Sequence, residues 1–468
     1  MVLGHDLLLL LPLLISFSNI VTSQSIIKNL PGFDGDLPFN LETGYVGVGY
    51  NEEVQLFYYF VESERNPKDD PLVLWFTAGP AGCSSLSAIL YQHGPLHFNY
   101  ANPTSSKPTL VLNPHSWTKV ANIIYLDAPV GTGFSYATTW RGYNIGDLSS
   151  AAQTYDFLRK WLMAHPKFLS NPMYVGSDSY GGLVVPIIVQ EITTGNDKGN
   201  KPKINLKGYI LGNPVTDYKN DLSSRIPYAH QKALISSQLY ESIKESCKGE
   251  YLNPDRSNKI CISNLQAVNK TFEELYLYNI LEPKCRSWDL SPLLGGTDLL
   301  TLMKKIDVFA ATQLSREWCR DYMLLYSHIW ANDKSVQSAL HVREGTITEW
   351  PRCNLSLRYD FDVLSVVQYH RNFTKTSAYR VLIFSGDHDL ALPYLATYAW
   401  IQTLNLTVTK NWQPWLVDHQ VAGHVIAYSK RKYNLTFAIV QGGSHSASEI
   451  RPKECFAMID RWLAYKSL

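Results

Sequence analysis

Short, nearly uninterrupted apolar runs, separated by stretches with helical spacing, organise this chain. Residues 54–60 (V-Q-L-F-Y-Y-F) and 72–77 (L-V-L-W-F-T) predict strands, and the second is apolar on both faces, as a strand inside a covered sheet must be. Residues 122–127 (N-I-I-Y-L-D) predict another buried strand, opening into a glycine-rich turn with Pro129, Gly131 and Gly133. From Asp147 the spacing of Leu148, Ala151, Tyr155, Leu158 and Leu162 predicts a helix with Asp147 as its cap, ending before Pro166. A strand turning into a helix is predicted over 173–193, a strand over 207–211, and two late strands over 380–384 and 437–440. Strands alternating with helices imply a mostly parallel central sheet with helices on both faces, so the fold class is α/β.

The pattern changes between 213 and about 332, where helical stretches and four of the seven cysteines occur and no strand is predicted. This segment reads as a largely helical, disulfide-bonded insertion over the carboxyl edge of the sheet, where such folds bind ligands. The resulting plan is a leader over 1–23, a first part of the core over 24–213, the insertion or lid over 214–332, and a second part of the core over 333–468.

Composition narrows the class of partner. In 468 residues the formal charge is +1 and only 18% are charged, which gives no basic face for nucleic acid and no acidic tail. A small organic substrate is expected. The apolar run from Leu7 to Ile15, followed by small and polar residues up to Ser23, reads as a secretory signal peptide, although no Lys or Arg precedes it. No other segment is long enough to span a bilayer, so no membrane association is expected once the leader is removed. Sequons at Asn269, Asn354, Asn372, Asn405 and Asn434 agree with a secretory route and are expected to be glycosylated at the surface.

The cysteines, at 83, 247, 261, 285, 319, 353 and 455, contain no C-x-x-C pair, which argues against a zinc ribbon or a thioredoxin-type site; no metal or cofactor is expected. In an oxidising compartment seven cysteines imply three bridges and one free thiol. Cys455 is the expected free one, since Met458, Ile459 and Trp462 place it in an amphipathic helix. Nearest-neighbour pairing joins Cys247 with Cys261 and Cys285 with Cys319.

Candidate chemistry centres on residues 174–182 (Y-V-G-S-D-S-Y-G-G). A strand-forming pair enters a turn of small residues, and an apolar helical run leaves it. This is the layout of the nucleophile elbow of an α/β-hydrolase, with Ser179 at the apex. Ser177 stands where such elbows carry a glycine, and a plain strand-to-helix loop with Ser179 as an N-cap is the alternative. Two later sites tip the balance. S-G-D-H-D at 385–389 follows one predicted strand, and Q-G-G-S-H at 441–445 follows the next. Serine, then acid, then histidine is the chain order of α/β-hydrolases. His445 would take the Ser179 proton, and Asp389 would fix the imidazole tautomer. Each acid could instead stabilise a turn, and His445 could be one of 13 ordinary histidines.

The stretches 77–85, 127–136, 176–182, 212–214, 385–389 and 442–452 together resemble plant serine carboxypeptidase-like proteins over essentially the whole mature length. The resemblance implies an α/β-hydrolase fold with Ser179, Asp389 and His445 as catalytic triad and the backbone N–H groups of Gly79 and Tyr180 as oxyanion hole. It also implies bridges Cys83–Cys353, Cys247–Cys261 and Cys285–Cys319. Peptide-cleaving members bind the substrate carboxylate with an Asn and two Glu, and the corresponding residues here are Thr77, Gln92 and Asp178. With W-A-N-D-K at 330–334 and R-E-G-T at 343–346, the elbow is similar instead to the acyltransferase branch. That similarity implies transfer of a hydroxycinnamoyl, galloyl or related group from a 1-O-acylglucose to an acceptor alcohol, without cofactor, in the vacuole or extracellular space. A serine carboxypeptidase remains the alternative. Relative to the family pattern, Ala81 is an extra residue in the oxyanion loop, Ala78 and Ser177 replace glycines, and Ser448 replaces a proline. These changes keep open a second alternative, a weak companion subunit of an active homologue.

Overall fold

The computed structural model describes residues 23–78, 82–100, 108–284 and 320–468; residues 1–22 of the expected leader, Gly79 with Ala81, and the Cys285–Cys319 pair lie outside them. The apolar strands expected at the centre are there. Leu72–Ala78 and Met173–Ser179 run side by side in parallel, matching Ser177 with Phe76 and Asp178 with Thr77. Around them six parallel strands form the middle of a 12-stranded sheet, in the order Asn122–Leu126, Leu72–Ala78, Met173–Ser179, Leu206–Gly212, Arg380–Gly386 and Tyr433–Val440. Antiparallel strands extend it on both sides: Val54–Val61, Leu41–Val48 and Ser23–Ile27 at one edge, Gln420–Lys430 and Thr407–Val417 at the other. Four of these, Ser23–Ile27, Leu41–Val48, Thr407–Val417 and Gln420–Lys430, were not among the expected strands. Thr407–Val417 is mostly exposed and mixes lysine, asparagine and proline among its apolar residues, so it lacks the apolar run that marks a covered strand.

Each face of the sheet carries its own core. On one face the helices Asp147–Ala164 and Gly181–Asp197 bury Phe157, Leu158 and Trp161, with Val185, Ile188 and Ile192, against strand residues such as Leu74, Val175 and Leu211. On the other, Pro452–Leu463 contributes Met458, Ile459 and Trp462, and Arg320–Asn332 contributes Leu325, Tyr326 and Trp330, around Trp75, Trp117 and Trp350. The α/β-hydrolase class read from the sequence is the fold observed. Among the described residues of the insertion, four helices between Tyr218 and Glu273 carry a small separate core of Ile226, Ile243, Cys247, Cys261 and Val268.

Asp147 does not cap its own helix. The first helical N–H groups, of Asp147 and Leu148, donate to Oδ1 of Asp362 at 3.0 and 3.4 Å. The Asp147 carboxylate turns inward, accepting from the hydroxyls of Tyr180 (2.6 Å) and Tyr359 (2.9 Å) and from the Val363 N–H (3.0 Å). Local spacing suggested a cap, but tertiary hydrogen bonds to a fully buried carboxylate prevail.

Two of the expected bridges, Cys83–Cys353 and Cys247–Cys261, are formed. Cys455 is a free, fully buried thiol, whose burial pushes its pKa well up. Asn269, Asn372, Asn405 and Asn434 are exposed, whereas Asn354 is half-buried and donates from Nδ2 to the Gly131 carbonyl at 2.8 Å. No helix among the described residues is long and apolar enough to cross a membrane.

Candidate active site

The strand Met173–Ser179 ends in a residue that no ordinary strand would tolerate: Ser179 has φ of 56°, in the left-handed region. Its carbonyl is fixed by the Val215 N–H at 2.9 Å, and the helix Gly181–Asp197 departs at once. The tight approach falls at Gly182, where a Cβ would lie 2.4 Å from the Val215 carbonyl oxygen and 2.5 Å from Pro214 Cβ. Ser177 is accommodated. It is fully buried, and its hydroxyl donates to the Phe76 carbonyl at 2.6 Å, so the missing glycine does not open the elbow.

The three side chains from separate strand ends meet here. Ser179 Oγ lies 2.8 Å from His445 Nε2, and His445 Nδ1 lies 2.7 Å from Asp389 Oδ2. Asp389 is fully buried, and its carboxylate also accepts from Asn213 Nδ2 at 2.8 Å and from the Leu392 N–H at 3.0 Å. Burial alone would lower the basicity of His445. The charge of Asp389 and its hydrogen bond, helped by the charge of Asp178, outweigh it and hold the imidazole above its ordinary pKa. With Nδ1–H committed to the carboxylate, Nε2 is the acceptor that faces Ser179. Asp387 is not part of this row; its carboxylate accepts from the Gly442 N–H at 2.6 Å and so ties the acid loop to the histidine loop. Asn213 belongs to the site yet had no assigned role, because an amide after a strand carries no sequence signal of its own.

Tyr180 precedes the first residue of the helix Gly181–Asp197, so its N–H is among the donors that a helix start leaves without an intrahelical acceptor. Gly79, the other expected oxyanion donor, is outside the described residues.

Thr77, Gln92 and Asp178 line the same cavity as Ser179 and His445, a cleft of about 340 Å³ also walled by Tyr91, Tyr276, Tyr278, Arg320, Arg352 and Leu355. Gln92 Nε2 donates to Asp178 Oδ2 at 2.8 Å. The other ends of this pair, Gln92 Oε1 and Asp178 Oδ1, are buried without a partner among the described residues, as are the Thr77 and Ser87 hydroxyls. Burial raises the Asp178 pKa, opposed by the positive field of His445 and the Gln92 hydrogen bond. Arg320 is neutralised by Glu282 and Glu449. Arg352 forms no ion pair among the described residues and was not singled out from the sequence, where nothing marks it beyond its place beside Cys353. No cluster of metal-ligating side chains occurs among the described residues.

A family model described as serine carboxypeptidase, peptidase S10, matches residues 31–465. The chain belongs to the serine carboxypeptidase family. Its relatives in that family include serine carboxypeptidase-like 7 of Arabidopsis thaliana, 47% identical over 98% of both chains, and serine carboxypeptidase-like 2 of the same plant, 46% identical over 98% of this chain and 96% of the other. Among solved structures it resembles a prohormone-processing carboxypeptidase from Saccharomyces cerevisiae, with a TM-score of 0.70 over 91% of this chain and 92% of that one at 18% identity. That likeness establishes the α/β-hydrolase architecture.

Proposed function

We propose that this chain is a serine carboxypeptidase-like acyltransferase with Ser179, His445 and Asp389 as its triad. The acyl donor is a 1-O-acylglucose, and the acceptor is an alcohol. Ser179 Oγ attacks the donor carbonyl carbon while His445 Nε2 takes the hydroxyl proton. The developing oxyanion is held by the Tyr180 N–H and, from the family resemblance, by that of Gly79. Collapse breaks the bond to the glucosyl oxygen, which leaves with the proton from His445. The acceptor hydroxyl then repeats the sequence on the Ser179 ester, giving the new ester and free Ser179. Asp389 stabilises the imidazolium at both stages. The family resemblance and the disulfides fit a protein of the secretory route, vacuolar or extracellular.

The observation that carries this reading is the polarity of the cleft beside Ser179. Gln92 Oε1 and Asp178 Oδ1 are acceptors buried without a partner among the described residues, as are the hydroxyls of Thr77 and Ser87, and all four residues line the cleft. A carboxylate brought beside Asp178 sets a second carboxyl against one whose pKa burial already raises, and the two would have to share a proton. A sugar hydroxyl placed there donates instead and gains roughly 0.5–1.5 kcal/mol. The difference favours a polyol ester over the carboxylate end of a peptide.

One observation favours the carboxypeptidase alternative: the Arg352 guanidinium in the cleft wall, without an ion pair among the described residues, is a ready partner for a carboxylate. A product-resolved assay decides. Purified protein is offered 1-O-acylglucoses with mixed alcohols beside a blocked dipeptide, with Ser179→Ala as control. A new ester that disappears in the control supports the transferase. Release of a free C-terminal amino acid would replace it with the peptidase, and silence in every lane would point to a companion subunit.

A further inference from the structure

One segment, 353–363, is bonded to both sides of the place where Ser179 reacts. At one end Cys353 is joined to Cys83 by a disulfide, and the Asn354 N–H donates to the Gly82 carbonyl at 3.0 Å. That fastens the segment to the loop following the strand Leu72–Ala78, the loop of the first expected oxyanion donor. At the other end Tyr359 and Asp360 pair with Ile145 and Gly146, next to the start of the helix Asp147–Ala164. The joint with the nucleophile elbow is the fully buried Asp147 carboxylate. Its Oδ1 accepts from the hydroxyls of Tyr180 and Tyr359, and its Oδ2 from the Val363 N–H, so elbow, helix start and segment 353–363 meet at one group. Tyr180 is buried, and the rings of Phe361 and Tyr359 stand edge-on to it at 5.8 and 6.1 Å. Gly82, Pro129, Tyr180 and Tyr359 share the lining of one small cavity.

A carboxylate is a costly group to bury, and none of these three bonds serves its own helix. What they hold is the residue after Ser179. Ser179 sits at φ of 56°, a conformation that persists only where the surroundings over-determine it. The Val215 N–H fixes the Ser179 carbonyl on one side, and the Asp147–Tyr180 bond fixes the next residue on the other. We propose that Asp147 is a positioning residue for the oxyanion hole: through the Tyr180 hydroxyl it sets the aim of the Tyr180 N–H, and through Tyr359 it keeps that donor aligned with the loop fastened at Cys83. The inference rests on the acyl-enzyme reading of Ser179, in which that N–H holds the charge developing on the substrate carbonyl oxygen. Removing such a donor outright typically costs ~10²–10³ in rate, and a displacement of about 1 Å can cost ~10². A donor left in place but loosened loses a smaller factor, roughly tenfold. The contact is made in the transition states of acylation and deacylation alike, so the loss falls on kcat and leaves KM in place.

The test uses a p-nitrophenyl ester, so that it does not depend on the natural donor, and compares the wild type with Tyr180→Phe, which removes one hydroxyl from a buried ring. Asp147→Asn is the second variant; it keeps the shape of the group, loses the charge, and suffices if the first cannot be produced. Kinetics are read beside the binding of phenylboronic acid, whose tetrahedral adduct with Ser179 places an oxygen where the oxyanion forms. In both variants kcat falls roughly tenfold, KM stays within about twofold, and the boronic acid binds more weakly by the factor lost in kcat. Thermal unfolding of the same samples reports any cost in stability separately. A lowered unfolding midpoint with wild-type kcat and wild-type boronic acid affinity makes the bond purely structural and overturns the proposal, as does a loss confined to KM. A wild type no faster than Ser179→Ala overturns this proposal and the acyl-enzyme reading together. Should 1-O-acylglucoses fail as donors while the variants behave as stated, the donor reading falls and the positioning role of Asp147 stands.

Discussion

Replacing Asp389 by Asn changes one atom in a fully buried group whose partners are all donors. Oδ2 accepts from His445 Nδ1 and Asn213 Nδ2, and Oδ1 accepts from the Leu392 N–H. An asparagine has one oxygen to offer. If its oxygen faces His445, its NH₂ confronts the Leu392 N–H, and the imidazolium formed during catalysis loses its counter-charge, worth roughly 4 kcal/mol at about 4 Å and an effective dielectric constant near 20. If its NH₂ faces His445, the ring must present a bare Nδ1 and carry its proton on Nε2, where it can no longer act as a base toward Ser179; tautomer loss of this kind costs about 10⁴ in serine proteases. Both orientations therefore predict a fall in kcat/KM of roughly 10³–10⁴, accompanied by about 1–3 kcal/mol of lost stability from a buried unmatched donor. The pH profile discriminates further. Burial, the largest single cause, works against His445 protonation, and Asp389 with Asp178 works for it with the larger combined effect, so removing the Asp389 charge lets burial win. The imidazole pKa falls, and the acid limb of kcat/KM, which reports the free enzyme, moves to lower pH. The assay is hydrolysis of an activated ester from pH 4 to 8, with thermal unfolding of the same samples. An Asn variant within tenfold of wild type, or an acid limb displaced upward, would refute the argument.

Gln92→Glu places a second carboxyl against Asp178, and two such groups at this distance share one proton, so the folded-state pKa of the added group rises above its unfolded value. Stability is therefore near wild type below about pH 4 and falls behind by about 4 kcal/mol toward neutrality, read as a widening gap in denaturation midpoints; a gap that does not change with pH counts against a shared site. Removing the Cys83–Cys353 bridge by a double Ser substitution releases a crosslink spanning 270 residues, for which the chain-entropy model gives about 5.6 kcal/mol; a loss below about 1 kcal/mol would show that the unfolded chain is not what the bridge restrains. Asp362→Ala exposes the start of the helix Asp147–Ala164 and is expected to cost about 1 kcal/mol in urea unfolding, with no loss if the N-terminal donors find water instead.

The central strands were legible because a strand covered on both faces must be apolar at every position, as 72–77 is. Their ends were legible too, since a serine, an acid and a histidine each followed such a run. The edge strands were not. Leu41–Val48 includes two glycines and a glutamate, and Thr407–Val417 is mostly exposed with polar residues among its apolar ones, so neither shows an uninterrupted run. At the site, what escaped the sequence was whatever depends on a partner from a distant segment. Asp147 was read by its neighbours in the chain, whereas Tyr359 and Asp362, more than 200 positions away, decide its role. Asn213, Tyr278 and Arg352 are likewise ordinary residues until the fold brings them against Asp389, His445 and the cleft.

The span of the Cys83–Cys353 bridge also has a bearing on how the chain is made. Synthesis at about 5–20 residues per second separates the emergence of the two cysteines, 270 residues apart, by roughly 15–50 s. During that interval Cys247 and Cys261 appear and can close their own 14-residue loop, but either can also capture Cys83. The strand end that carries Thr77 is thus fastened late, by a thiol that has waited while four other cysteines, at 247, 261, 285 and 319, emerged before its partner, and recovery from a wrong choice proceeds at the pace of disulfide exchange, seconds to hours unless catalysed. Asp389 and His445 emerge later still. Until then Ser179 has no base, so a nascent or arrested chain carries an inert serine through the compartment in which it folds.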